Sequence, residues 1–391
     1  MADQHILRPG VRPLVRALAD SKIREVANPF MAEPEMIRLW FGEPDLPTPA
    51  FICDAASAAM REGKTTYVTS LGVPELRQAI AGYQSRLKGV SIDSERVVIT
   101  ASAMSGIHLA VQLLVDPGDT VVTTSPLWPN ISEASRLAGA TVEPVTMAVR
   151  DGRWTLDMQK LAEALARRPK VLFVNTPCNP TGWMMPAEQQ RDVLALCRKY
   201  GVWLIADEMY ERIVFETELA PSFLSIAEPD DRVISINGFS KNWSMTGWRL
   251  GWMVVPVDVT SDLAKLTEYN TASAATFVQW AGITAIRDGE PFVAEQIARF
   301  RRGRDLVHQR LAAHPRIRIA KPDGAFYAFF SVDGMTDGIA FATALARDQK
   351  VGLAPGEAFG PGGEGYLRLC FASEPETLSR ALDRIEIALA R

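Results

Sequence analysis

An α/β fold is predicted here: a large domain with a mostly parallel sheet sandwiched by helices, plus a smaller α+β domain. Three observations predict it. From about residue 97, short β-branched runs alternate with longer helical patterns. Those runs are apolar almost throughout, as strands covered by helices on both faces must be. The 391 residues also exceed the size at which one hydrophobic core keeps growing, so a second domain is expected.

Taken in order, residues 1–46 form an N-terminal segment expected to pack on the smaller domain, and Ser21 to Ala27 within it has the spacing of a short amphipathic helix. Residues 47–290 form the large domain. Its predicted strands run from Val97 to Thr100, Thr120 to Thr124, Val171 to Asn175, Val202 to Ala206, Val233 to Ile236 and Leu250 to Val255. Helices between them include Leu156 to Ala166 and Ala187 to Lys199. Residues 291–391 change texture, with a long charged helix from Pro291 to Ala312, short strands, and a last helix from Glu374 to Ala390. There is no internal repeat and no low-complexity tract.

Composition narrows the function classes. With 47% hydrophobic and 23% charged residues the chain reads as an ordinary soluble protein, and its net charge of -4 gives no reason to expect nucleic-acid or membrane-surface binding. No N-terminal stretch has the order of a signal peptide, and no apolar run reaches roughly 18 residues, so a cytoplasmic location is expected. Cys53, Cys178, Cys197 and Cys370 form no Cys-x-x-Cys pair and no zinc-like spacing with His5, His108, His308 or His314. Buried reduced thiols and no metal site are the expectation.

In an open α/β sheet the ligand sits beyond the carboxyl ends of the strands. Trp128, Asn179, Asp207 and Lys241 each follow one of the predicted strands, so four strands deliver polar or aromatic groups to one edge. Lys241 stands in Ser235-Ile-Asn-Gly-Phe-Ser-Lys-Asn-Trp-Ser-Met-Thr-Gly-Trp-Arg-Leu-Gly251. A lysine just past an apolar strand, among hydroxyls and glycines and eight residues before an arginine, has the ingredients for a Schiff base with a phosphorylated aldehyde.

This block resembles the cofactor-lysine signature of the class I/II aminotransferases, fold-type I pyridoxal-phosphate enzymes of the aspartate/aromatic aminotransferase kind, and the resemblance continues over almost the full length. The resemblance implies that Lys241 carries pyridoxal phosphate and then acts as general base and acid. By the same resemblance Asp207, in Ala206-Asp-Glu-Met-Tyr210, holds the ring nitrogen protonated, while Tyr210 and Asn179 hydrogen-bond the ring's phenolic oxygen. Asn179 belongs to Asn175-Thr-Pro-Cys-Asn-Pro-Thr-Gly182, a turn-forming sequence in its own right. Trp128 matches the aromatic that stacks on the ring. The phosphate falls to the N–H groups of Ala103 and Met104, the Ser240 hydroxyl and the Arg249 guanidinium. Ser102 replaces a glycine common in that loop. Tyr67 matches a tyrosine that reaches the phosphate of a neighbouring subunit, which implies a homodimer with shared sites.

Substrate recognition falls, in the same resemblance, to Arg368, in Gly365-Tyr-Leu-Arg-Leu-Cys-Phe371, as the bidentate fork for an α-carboxylate, with Trp128 and Asn179 beside it. Gly42 resembles a glycine that lets the N-terminal segment approach the substrate. The implied reaction moves an amino group from an L-amino acid to a 2-oxo acid by a ping-pong cycle. The same residues would serve a lyase, decarboxylase or oxidase on this scaffold. A lysine of the phosphate loop reads a side-chain carboxylate in the aspartate-preferring branch; Met104 stands in its place here, so neutral, apolar or aromatic side chains are expected to be favoured.

Overall fold

The computed structural model describes residues 10–390; residues 1–9, with His5, and residue 391 lie outside the described residues. A seven-stranded sheet forms the centre of the larger unit. Its strands lie in the order Val97–Thr100, Gly251–Val254, Val233–Gly238, Trp203–Asp207, Val171–Asn175, Thr120–Ser125 and Thr141–Thr146. All are parallel except Gly251–Val254, which runs antiparallel to both neighbours.

The apolar runs become strands because both of their faces are buried. Met253 packs into one core with Val98, Ile107 and Ile236, while its neighbours Trp252 and Val254 pack into another with Leu76, Ile80 and Val278. Thr141–Thr146 is absent from the predicted strands for the converse reason. It is an edge strand containing Pro144, and only Val145 is buried along it, so it has no apolar run to read. The direction of the strand within Leu250 to Val255 was equally hidden, since burial on both faces looks alike in either direction.

The smaller sheet is antiparallel, in the order Ile317–Ile319, Tyr327–Val332, Tyr366–Cys370 and Ala354–Pro355. It shares a core with the helices Glu290–Ala312 and Pro375–Leu389 through Phe300, Val307, Phe330, Leu367 and Leu382. The N-terminal segment joins this unit: the helix Lys22–Ala27 buries Val26 in the same core, and Ile37–Arg38 pairs in parallel with Val351–Gly352. Gly352 is required there, because a Cβ on it would lie 2.0 Å from the Trp40 ring. Among the described residues no helix is long and apolar enough to cross a membrane.

Candidate active site

The carboxyl ends of the large sheet open onto a cavity of about 270 Å³ to which the N-terminal segment adds Ile23, Phe41 and Gly42 and the smaller sheet adds Tyr327 and Arg368. Gly42, Ala103, Met104, Trp128, Asn179, Asp207, Tyr210, Ser240, Lys241, Arg249 and Arg368 all line it. Eleven of the twelve residues singled out in the sequence therefore meet in one place. Tyr67 does not: it is 90% exposed and outside the cavity.

Lys241 lies in the turn after Val233–Gly238, and its amine donates to the Gly42 carbonyl at 2.6 Å. The residue keeps some exposure, yet the packing around its amine holds the pKa down at about 8, with Arg368 and Arg249 adding repulsion. The neutral amine that a nucleophile and proton acceptor requires is thus far more accessible near neutral pH than in an ordinary lysine. Gly42 can approach so closely only because it has no side chain. A Cβ there would lie 1.9 Å from the Tyr327 hydroxyl.

Asp207 ends its strand at 7% exposure, and burial raises its carboxyl to about 6. The Met209 N–H donates to its Oδ1 at 3.1 Å, and it forms no salt bridge with any described residue. A buried carboxylate without a cation is costly unless a ligand brings one. Beside it, Asn175 donates to the Asp207 carbonyl at 3.1 Å and accepts from the Asn179 N–H at 2.8 Å, which ties the two strand ends together.

Arg368 enters from the smaller sheet at 2% exposure. One guanidinium nitrogen donates to Asn179 Oδ1 at 2.9 Å, a second donates to the Trp40 carbonyl, and Nε has no partner among the described residues. Its charge lies 4.5 Å from the centre of the Tyr327 ring and 4.9 Å from that of Phe359, and no carboxylate of the described residues pairs with it. Such a guanidinium is positioned to take a carboxylate in its fork.

At the far end of the cavity the helix Ala103–Leu114 presents its N-terminus. Ser102 caps it, accepting from the Ser105 N–H at 3.0 Å, and no described residue accepts from the N–H groups of Ala103 or Met104. Gly251 backs this loop: a Cβ there would lie 2.5 Å from the Ala103 nitrogen. Arg249, in a left-handed conformation, donates to the Thr246 carbonyl at 2.5 Å, and Ser240 lies nearby on the lining. Free N–H groups, a hydroxyl and a guanidinium at a helix N-terminus are an anion cradle.

The residues fit pyridoxal phosphate at each of its ends: a cradle for the phosphate, a lone buried carboxylate for a protonated ring nitrogen, and a lysine amine with a lowered pKa. Sequence reasoning missed Tyr327, whose hydroxyl sits 2.7 Å from that of Tyr210 across 117 positions of chain. No sequence signal marked it, since its pairing with the segment bearing Arg368 exists only in the folded sheet. Asn175 stood in the quoted motif without a role. Cys178, in the same motif, is buried with its thiol pushed up to about 11, as expected of an inert thiol.

Known proteins resemble this chain in sequence and in fold. The sequence model of the family described as "Aminotransferase class I and II" matches residues 34–385. The chain is 36% identical over 373 residues to an aspartate aminotransferase of Pyrococcus horikoshii, covering 94% of each sequence. The solved aspartate aminotransferase of Thermotoga maritima superposes with a TM-score of 0.91 at 32% identity, over 97% of this chain and 100% of that one. The aromatic aminotransferase of Pyrococcus horikoshii gives 0.87 at 30% identity, over 93% and 98%.

Proposed function

This chain belongs to the class I and II aminotransferases, and from that premise we propose which amino acids it takes, what each pocket residue does and how subunits share the site. It is a pyridoxal-phosphate-dependent aminotransferase acting on amino and 2-oxo acids; the lyase, decarboxylase and oxidase alternatives are not favoured by its relatives.

When bound, pyridoxal phosphate supplies an aldehyde that captures amines and a protonated ring that draws electrons from the substrate's α-carbon. In our reading Asp207 keeps the proton on the ring nitrogen, and Tyr210, backed by Tyr327, donates to the ring's phenolic oxygen together with Asn179. Ala103, Met104, Ser240 and Arg249 hold the phosphate, and Trp128 covers the ring. Arg368 takes the α-carboxylate in its fork, with Asn179 and Trp40 fixing the guanidinium plane. That orients the α-hydrogen toward Lys241 Nζ, which removes it and returns it as acid and base. The smaller sheet and the N-terminal segment add apolar and aromatic wall to the cavity through Ile23, Phe41 and Tyr327, which limits water beside the reacting carbon.

The substrate we assign is an amino acid with a neutral, apolar or aromatic side chain. The observation that carries this is the lining itself: Ile23, Phe41, Met104 and Ile107 face the cavity, and the cations among the described residues lining it are Lys241, Arg249 and Arg368, all otherwise engaged in this reading. The aromatic aminotransferase neighbour is consistent with it, while the aspartate enzymes among the relatives set the rival. Loading the protein with pyridoxal phosphate, offering single amino acids without acceptor and measuring the 2-oxo acid formed decides between them. Phenylalanine and leucine should outrun aspartate; strong conversion of aspartate with none of phenylalanine or leucine would sink the assignment.

We further propose a homodimer in which Tyr67, exposed in the single chain, completes the partner's phosphate site. A cytoplasmic location accords with four unpaired cysteines. The division at residues 46 and 290 accords with the two sheets each centring a core of its own, although Phe329 and Phe359 pack into the larger core and Tyr210 and Phe215 into the smaller.

A further inference from the structure

Behind the pocket, on the side of the Asp207–Tyr210 turn away from the cavity, lies a buried ion cluster with no part in the assignments above. Lys88 is the last residue of the helix Pro74–Lys88, its side chain fully buried. Its amine is 2.5 Å from Glu211 Oε2 and 3.5 Å from Glu208 Oε2. Glu208 also accepts from Ser222 Oγ at 2.9 Å, Ser235 Oγ at 2.8 Å and the Phe223 N–H at 3.0 Å, and Glu211 accepts from Gln84 at 2.7 Å. Next to it Arg212 makes a bidentate pair with Glu290 and donates to the Tyr83 hydroxyl.

Along the turn the residues divide between two destinations, with Met209 on the cavity side. Asp207 and Tyr210 line the cavity, whereas Glu208 and Glu211, the residues directly after each, reach back to the same ammonium. Burying three charges contributes little net stability compared with apolar residues of the same size, so such a cluster is better explained by the geometry it specifies. The negative charge of Glu208 bears on Asp207 and raises its carboxyl; Lys88 stands against that charge.

We propose that Lys88, outside the cofactor cavity, is a positioning residue that cross-links Glu208 and Glu211 and so fixes the turn on which Asp207 and Tyr210 meet the cofactor ring. The inference rests on the aminotransferase reading for what those two residues hold. Burial opposes the ammonium, but the two carboxylates outweigh it and keep Lys88 charged, so the clamp persists through the working pH range.

The test uses the full-length protein with two variants, Lys88→Met and the charge-balanced Lys88→Met/Glu211→Gln. The double variant keeps the cluster's native net charge and leaves Glu208 its three other donors, so folding should survive. Each is compared with native protein by thermal melting, by pyridoxal phosphate affinity from fluorescence titration, and by the pH midpoint of the bound cofactor's visible absorbance. Loss of a group that orients a ligand residue weakens binding by about 10-fold or more, and the midpoint should move by at least roughly half a unit. A folded double variant with native affinity and native midpoint overturns the proposal. Failure of both variants to fold also overturns it, by assigning Lys88 to the scaffold rather than the turn. Native protein that does not bind pyridoxal phosphate sinks the functional reading as well, whereas native binding with unchanged variants sinks this proposal alone.

Discussion

The guanidinium of Arg368 and the side-chain oxygen of Asn179 meet at 2.9 Å, and this bond joins the two halves of the site. One residue sits on the antiparallel strand Tyr366–Cys370 of the smaller sheet, the other on the loop after Val171–Asn175 of the larger. Arg368→Ala should therefore lower kcat/KM for every α-amino acid by roughly 30-fold to several thousand-fold, as losing one partner of a buried charged contact costs roughly 2–5 kcal/mol. Arg368→Lys should recover only part of it, because a point charge cannot replace the fork. Steady-state kinetics with two donors of different side chain checks both, and an unchanged kcat/KM in Arg368→Ala contradicts the assignment.

Asp207 makes a prediction about stability and pH. Its carboxyl is raised from 3.8 to about 6, so between those pH values the folded protein binds a proton that the unfolded chain does not. Stability of the cofactor-free protein from this group therefore falls as pH rises through that window, and the full cost remains above pH 6. Asp207→Asn keeps an acceptor for the Met209 N–H and removes the buried charge. It should raise cofactor-free stability at pH 8 by up to about 3 kcal/mol while abolishing transamination. Urea unfolding at pH 4 and pH 8 measures the gain, which should appear only at the higher pH.

Met104→Lys should shift donor preference toward aspartate. Met104 lines the cavity together with Ile23 and Ile107, in the first turn of its helix, so a cation there is expected to meet the substrate's side chain. The ratio of kcat/KM for aspartate over phenylalanine should rise by at least about ten-fold, the scale of one charge-assisted hydrogen bond. No rise would mean that side chains are read elsewhere.

Much of this site was legible before folding because its chemistry sits in local motifs. Lys241, Asp207 and Asn179 each follow an apolar run that can only be a covered strand, and strands of one parallel sheet end on the same edge. What was not legible depends on pairs remote in sequence. Tyr327 acquires meaning only at 2.7 Å from Tyr210, and Lys88 only where its helix end meets the turn after Trp203–Asp207. Gly42 stood in the sequence as a point of close approach, but the Tyr327 hydroxyl that a methyl there would strike lies far along the chain, on a strand of the smaller sheet. Thr141–Thr146 was hidden because an exposed edge strand has no apolar pattern, and the role of Tyr67 is not visible in a single chain that leaves it in solvent.

Tyr67 supplies a test of assembly. If it completes a partner's phosphate site, the protein should elute at twice its 43.0 kDa mass, and Tyr67→Ala should bind pyridoxal phosphate more weakly without dissociating. A monomer with full activity would contradict the shared site.

The central claim is that Lys241 Nζ is the amine that holds the cofactor aldehyde. Borohydride reduction of the protein loaded with pyridoxal phosphate, followed by digestion and peptide mass mapping, tests it directly. The account predicts one added pyridoxyl group, on the peptide containing Lys241 and on no other. Stable incorporation at a different lysine, with Lys241 unmodified, would contradict it.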